Sequence, residues 1–586
     1  MTKRSGAQAL VRVLAAHGVE HVFGLCGHTI VPALAALESS KIRFVGVHHE
    51  QAAAHAADAY ARVTGEPQVV LCHLGPGMTN ALTGVANACL DDVPMVVVAG
   101  NVQSYFQGRH AHMETTLHAD ASQSEAYRPW CKRVWRVERP EALVPALDAA
   151  FVVARSGRPG PVLVDVAMDV FSSPVEIPDE FVPRVIRSAT TIDPGMAEVT
   201  ADLLLSARRP VIYAGEEAGR RRAGGALVVL AEALGAPLAY ALMAKGAVPD
   251  SHPLCVGMSG FWGTPAANAA CREADVLFAV GATFSELDAS SWEPGKTFAI
   301  PPTRLVHSHE DASEIGRSYP AALGVCAPAD AFAVAVAERV LARMATQTVI
   351  VELPSALRDL KRQFADQLAP ARAADDMPLR PERVLAEVER LMASGNIVLV
   401  GDTGWNKNGV GQQVCLDAPG RFVVAGGYAT MGFGPAAALG VALAAPERSV
   451  IAMVGDGAFL ANPAVVVTAV EERIPVVWVV MNNGTYATIS GMQGRHFGSD
   501  YGSSFDASRT DYAALASAVG GVGARVERAD QLGPLIAEAL ASRKPWVIDV
   551  PCSRENVPTT GAWEINELFG SGIAVDAAAE RVRNAE

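Results

Sequence analysis

No two of the nine cysteines in this 586-residue chain form a Cys-x-x-Cys step. They stand at 26, 72, 89, 131, 255, 271, 326, 415 and 552, an odd number and widely scattered. That spacing speaks against a disulfide framework or a zinc site and fits a reducing compartment. Basic charge is also scarce: 48 Lys and Arg face 62 Asp and Glu, a formal net charge of -14. A nucleic-acid backbone wants a basic face, so no nucleic-acid partner is expected. No uninterrupted apolar run approaches the roughly 20 residues that span a bilayer. The N-terminal MTKRSGAQALVRVLAAHG reads as an amphipathic helix without a signal-peptide core. The expectation is a cytoplasmic protein with no membrane contact. Short-period repeats are missing as well.

What is present is a large apolar fraction, 50% against 19% charged. A chain of this length exceeds one ordinary core, and two to four domains are expected. Short β-branched runs (HVFGL, IRFVGV, QVVLC, PMVVVAG, PVLVDV) alternate with Ala-rich amphipathic stretches. That alternation predicts an α/β fold, with doubly wound domains and mostly parallel sheets. Two Pro-rich stretches without periodicity, 173–195 and 368–383, read as linkers. They predict three domains, 1–175, 192–350 and 380–555, followed by a tail, 556–586.

The residues with chemistry cluster in the first and third parts. In IAMVGDGAFL a strand delivers Asp456 at its C-terminal edge, where open α/β sheets bind ligands. Gly455 and Gly457 allow backbone to approach an anion. Asn462–Glu472 is predicted as a helix, with Asn462 as N-cap and Pro463 in the first turn. The strand PVVWVVM then returns to the same edge with Asn482 and Asn483, and a right-handed crossover sets them beside Asp456. A carboxylate, an amide oxygen and a main-chain carbonyl are hard ligands that suit Mg²⁺ carrying water and phosphate oxygens. Taken singly, Asp456 reads equally as an Asx-turn residue and Asn482-Asn483-Gly484 as a tight turn. In the first part, Glu50 opens a helix of small residues (HEQAAAHAADAYAR) after the strand IRFVGV. By itself it also reads as an acid favoured by the helix dipole.

Together these segments resemble the thiamine-diphosphate (ThDP) enzymes, closest to the acetolactate synthase-like branch. Gly-Asp-Gly followed by Asn-Asn resembles that family's diphosphate and metal motif, and HEQxAAHxADxYAR its glutamate helix. The resemblance implies a pyrimidine-binding domain, a central domain and a diphosphate-binding domain. It implies ThDP and Mg²⁺ as cofactors, with Asp456, Asn483 and the main-chain oxygen of Thr485 as metal ligands. Glu50 is then the acid that hydrogen-bonds the aminopyrimidine. AGGYATMGFGPAAALGVAL (425–443) resembles the segment holding that ring, with the Ala429 carbonyl on its amino group and Met431 as the apolar wedge. Gly455, Gly457, Ala458 and Tyr486 line the diphosphate. VLVGDTGWNKN (398–408) falls where the family binds the outer diphosphate, and Gly404-Trp405-Asn406 replaces the usual Gly-Gln-His, so those contacts are altered or made by main chain. In the family the two halves of the site come from different subunits, which implies a homodimer or homotetramer.

The pocket residues depart from a standard synthase. His28 lies in the first loop, His73 precedes the Gly-Pro-Gly turn, and HAHME supplies His110, His112 and Met113. Imidazoles move protons near neutral pH, and each histidine also reads as a hydrogen-bonded structural residue. Histidines at 28 and 73 resemble diketone-cleaving members. The expected catalytic group is therefore Glu50, His28, His73 and His112, acting on a small carbonyl substrate. Three readings stay open. The first is a lyase/carboligase for a 2-oxo acid, 2-hydroxyketone or 1,2-diketone, working through a C2 ylide and enamine. The second is a true acetolactate synthase. The third is an FAD-dependent oxidase, for which the central part offers no clear dinucleotide loop beyond Gly215 and Gly224-Gly225. The tail, with Trp563, Ile565, Leu568 and Phe569, is expected either to close over the site or to dock as a terminal segment.

Overall fold

A computed structural model describes residues 2–114, 122–184, 192–344, 351–506 and 510–555. The expectation for the tail lies outside these residues. Strands such as Gln68–Cys72, Met95–Asn101, Val276–Val280 and Ile397–Gly401 are buried at every position. Such runs cannot face water on either side, so they pair in parallel with helices on both faces.

Three six-stranded sheets result. The first runs Arg43–Gly46, His21–Gly24, Gln68–Cys72, Met95–Asn101, Pro161–Ala167, Val134–Val137, all parallel. The third runs Phe422–Val423, Ile397–Gly401, Ser449–Gly455, Val477–Asn482, Trp546–Pro551, Val522–Arg525, again all parallel. Both have the spatial order 2-1-3-4-6-5 in their own strands. The middle sheet (Cys255–Met258, Leu238–Tyr240, Pro210–Ala214, Val276–Val280, Arg304–His309, Leu323–Cys326) has the order 3-2-1-4-5-6 found in dinucleotide-binding folds. A short antiparallel pair, Thr2–Ser5 with Pro174–Ile177, ties the N-terminus to the end of the first domain.

The first and third domains share one core. The helix Glu50–Thr64 packs on the helix Phe433–Ala444, and both belong to the same buried apolar cluster. The contact is close because the side chains are small. A Cβ on Gly440 would lie 1.9 Å from the Ala56 carbonyl, and one on Gly84 2.4 Å from the Ala54 Cβ.

Three expectations need correction. The stretch 173–195 is not all linker: Pro174–Ile177 is an edge strand. In 368–383, the helix Ser355–Arg372 continues to Arg372, with Pro370 in its last turn. The predicted helix from Asn462 begins earlier, at Asp456, directly after the strand Ser449–Gly455. Asn462 closes that turn, its amide donating to the Gly432 carbonyl at 2.9 Å, and a separate helix runs Val465–Glu471. The N-terminus aimed at the edge of the sheet is thus that of Asp456–Ala461.

Candidate functional site

A doubly wound sheet opens a crevice where its strand order reverses. In the first sheet that point lies between His21–Gly24 and Gln68–Cys72, and His28 and His73 stand in the two loops that leave these strands. In the third sheet it lies between Ile397–Gly401 and Ser449–Gly455, which are followed at once by Asp402 and Asp456. Topology alone therefore delivers the singled-out residues to two crevices.

In the first crevice Glu50 is the opening residue of its helix and is 5% exposed. His49 caps the helix by accepting from the Gln51 N–H. The Glu50 carboxylate accepts from Asn80 Nδ2 at 3.0 Å. Gly77 is needed beside it, since a Cβ there would sit 3.1 Å from Glu50 Oε1 and 3.2 Å from His73 Cβ. His73 is buried, and its ring lies 4.6 Å from that of His28. The His112 ring is 6.5 Å from His28. His28 and His112 are exposed. Burial, with His28 next in weight, holds the His73 pKa below the usual imidazole range. His110 and Met113 adopt left-handed backbone, φ 54° and 67°, turning this segment toward the crevice. The Gly75 N–H is held by Gln123 Oε1 at 2.8 Å, and Gln123 in turn by Asp165, whose carboxyl burial raises to about 6.

In the third domain Asp456 is buried and accepts from the N–H groups of Gly457 at 2.8 Å, Asn483 at 2.9 Å and Gly484 at 2.7 Å. Burial raises its pKa, and these three amides oppose the shift. Asn483 Oδ1 accepts from the Thr485 N–H at 3.2 Å. The loop is tight around Tyr486: a Cβ on Gly457 would lie 2.4 Å from its ring, whereas one on Gly455 would meet open space. Among the described residues no three His, Cys, Asp or Glu side chains cluster to hold a metal. This set is one carboxylate among amide and main-chain oxygens, an oxygen donor set that fits Mg²⁺ with a diphosphate. The Thr430 hydroxyl, between Ala429 and Met431, is buried without a partner, as a cradle for a polar ring would leave it. Met431 is 37% exposed and Ala429 has φ 52°. The Ala429 carbonyl accepts from Thr403 Oγ1 at 2.7 Å. The Trp405 ring packs into the core of its domain, and the Asn406 amide donates to the Met453 carbonyl at 2.8 Å. At the start of the helix Trp405–Gln413 the main chain from Gly404 onward is left to face a ligand, and the buried Trp405 Nε1 has no partner among the described residues.

Sequence reasoning missed Asp402. It is fully buried and accepts from the N–H groups of Thr403, Gly432 and Gly434, the last at 2.7 Å. Burial pushes it up to about 7. Its signal was in the chain: VLVGD and AMVGD end the two strands of the same crevice in the same way. Thr29 and Asn80 were also missed, since nothing local marks them.

Within one chain, Glu50 and Gly427 meet opposite ends of the helix Pro76–Leu90. Asn80, bound to Glu50, sits near the start of the helix Pro76–Leu90, and Gly427 meets the Leu90 carbonyl at its far end. Ten residues of helix separate these points by about 15 Å. Asp91, just beyond, accepts from the N–H groups of Gly426 and Gly427 and from Arg62, which also donates to the Val424 carbonyl.

A cavity of about 1680 Å³ lies elsewhere, among Arg62, Arg158, Glu216, Asp288 and Lys407. It includes the switch point of the middle sheet, where the order 3-2-1-4-5-6 would seat a dinucleotide. Glu216 lines this point and accepts from Thr283 N and Oγ1, each at 3.0 Å. Burial, and Asp288 beside it, push its carboxyl up. Gly215 and Gly224 serve packing: added Cβ atoms would lie 2.2 Å from Gly281 O and 1.7 Å from Ala247 O. The FAD oxidase reading finds no support.

Among the described residues no helix is long and apolar enough to cross a membrane. Three family descriptions match the chain: the thiamine pyrophosphate enzyme N-terminal TPP binding domain over 4–123, the central domain over 197–336 and the C-terminal TPP binding domain over 402–550. The chain is 32% identical to a probable acetolactate synthase large subunit of Methanocaldococcus jannaschii over 559 residues, covering 93% of this chain and 91% of the relative. It is 32% identical to the acetolactate synthase isozyme 3 large subunit of Escherichia coli, covering 92% and 93%. It is 34% identical to the acetolactate synthase large subunit of Parasynechococcus marenigrum, covering 94% and 88%.

Proposed function

The chain belongs to the thiamine pyrophosphate enzymes, in their acetolactate synthase-like branch, and from that premise we propose that it breaks or forms the bond next to the carbonyl of a 2-oxo acid, 2-hydroxyketone or 1,2-diketone. When bound, ThDP supplies a carbon nucleophile and an electron sink. The protein's part is to orient, desolvate and move protons. Glu50, buried and steadied by Asn80, would be the group that hydrogen-bonds the pyrimidine ring nitrogen. Asp456, Asn483 and the Thr485 carbonyl would hold Mg²⁺, and the N-terminus of Asp456–Ala461 would favour the charge of the diphosphate. Gly455, Gly457, Ala458, Tyr486 and the main chain at Gly404, Trp405 and Asn406 line that end, while Ala429 and Met431 set the pyrimidine ring. His28, His73 and His112 handle the substrate carbonyl.

That Glu50 and Gly427 meet opposite ends of the helix Pro76–Leu90 supports an active unit of two copies, Glu50 coming from one and Asp456 from the other. A homodimer or homotetramer in the cytoplasm fits this reading.

The observation that favours a lyase/carboligase over a plain acetolactate synthase is the buried His73 packed on His28. The test is turnover with added ThDP and Mg²⁺ on pyruvate, benzoylformate, cyclohexane-1,2-dione and a 2-hydroxyketone, following CO₂ and C–C products. Cleavage or ligation of the ketones without action on pyruvate is expected. Acetolactate from pyruvate would make the synthase reading correct.

A further inference from the structure

The two histidines that touch in the first crevice are held differently. His28 is exposed, and its ring nitrogens have no hydrogen-bond partner among the described residues. His73 has partners on both nitrogens: Thr29 Oγ1 lies 2.8 Å from Nδ1, and Met113 Sδ lies 3.3 Å from Nε2. Thr29 is 0% exposed, and among the described residues its hydroxyl has no other partner. A buried hydroxyl proton goes to an acceptor if one is in reach. The one acceptor here is His73 Nδ1, so that nitrogen carries the lone pair. A neutral imidazole with Nδ1 bare has its proton on Nε2. The second contact agrees independently, because a thioether sulfur only accepts. The groups facing His73 are His28 from the His28–Ile30 turn, Glu50 from its helix and His112 from the loop, and burial outweighs them in keeping the ring neutral.

We propose that Thr29 is a positioning residue that fixes His73 as the Nε2–H tautomer, so that His73, once the substrate takes the place of Met113 Sδ at Nε2, donates a hydrogen bond to the substrate's carbonyl oxygen while His28 is left to exchange protons with solvent. The inference rests on the placement of His73 at the substrate. A fixed N–H aimed at an oxygen that gains charge costs no reorientation during the reaction. Space around the pair is tight. A Cβ on Gly27 would fall 2.5 Å from His73 Cβ, and one on Gly100 would fall 2.4 Å from Thr29 Oγ1. Thr29→Val keeps the shape and removes only the hydroxyl, and Thr29→Ser keeps the hydroxyl.

The experiment uses the full chain with ThDP and Mg²⁺ and the variants Thr29→Val, Thr29→Ser, His73→Ala and the double variant Thr29→Val/His73→Ala. Histidine ¹⁵N resonances, assigned by loss of the His73 signals in His73→Ala, report the tautomer without turnover. Nδ1 is expected in the unprotonated range and Nε2 in the protonated range, with both averaging in Thr29→Val and restored in Thr29→Ser. With pyruvate or cyclohexane-1,2-dione, whichever turns over, His73→Ala is expected to lower kcat by about 10²-fold, the scale for one oxyanion donor. Thr29→Val is expected to lose about tenfold with KM nearly unchanged, and to cost nothing more once His73 is Ala, because residues acting through one group are not additive. A protonated Nδ1 in the unmodified chain, or the same Thr29→Val loss in the His73→Ala background, overturns the role of Thr29. Full turnover by His73→Ala overturns instead the placement of His73 at the substrate, and the ¹⁵N result still decides what Thr29 holds.

Discussion

At the scale of single residues, two carboxylates divide the work, and their variants should fail differently. Glu50→Gln keeps the Asn80 partner and the shape but cannot share a proton in the same way. It is expected to lower kcat by about 10²–10⁴-fold, the range for general acid–base groups, with ThDP retention unchanged in equilibrium dialysis. Asp456→Ala removes the acceptor of three loop amides and one oxygen ligand. It is expected to abolish Mg²⁺-dependent ThDP retention in the same assay, and retention equal to the parent would sink the metal assignment. His55 gives a pH prediction. It is fully buried against Phe433, with Arg62 nearby, and burial lowers it to about 3. The unfolded chain takes up this proton near pH 6.5 and the folded chain does not until about 3. Stability is therefore complete above 6.5 and falls as pH drops through that window. At pH 5 the cost is about 2 kcal/mol. Urea midpoints of the parent and of His55→Gln at pH 7 and pH 5 should show the parent losing more.

Elements show why part of the site was readable in the chain and part was not. Asp456, Glu50, His28 and His73 were visible because each stands just after a short apolar strand, and parallel strands bring their C-terminal ends to one edge. The start of the helix at Asp456 was misjudged because Asn462-Pro463 carries the better local start signal. Thr29 could not be found, because its meaning depends on a histidine 44 positions away. The strand Pro174–Ile177 hid among prolines, since four residues are too few for its alternation of exposed and buried positions to stand out. The contact of Glu50–Thr64 with Phe433–Ala444 yields its own prediction. Gly440→Ala drives a methyl into the Ala56 carbonyl, and overpacking of this kind costs about 1–3 kcal/mol. A urea midpoint equal to the parent's would mean that the helices slide apart freely.

For the whole molecule, the two separated halves permit a mixing experiment. The Glu50→Gln and Asp456→Ala proteins are each expected to be inactive alone. If the site lies between copies, a mixed dimer carries both defects in one site and leaves the other intact. Random exchange at equal amounts then restores about a quarter of the parent's activity, half of the dimers having one good site of two. If each site were built within one chain, mixing would restore nothing.

The antiparallel pairing of Thr2–Ser5 with Pro174–Ile177 has a consequence for how the chain is assembled. It sets Thr2 opposite Ile177 and Ser5 opposite Pro174, so the polypeptide enters and leaves its first lobe through one doorway. A module whose ends meet can be cut out, inserted into a host or re-ended by permutation without stretching its scaffold. The first lobe could in this sense be re-ended at that seam, while its core stays joined to the third domain through the helix Glu50–Thr64.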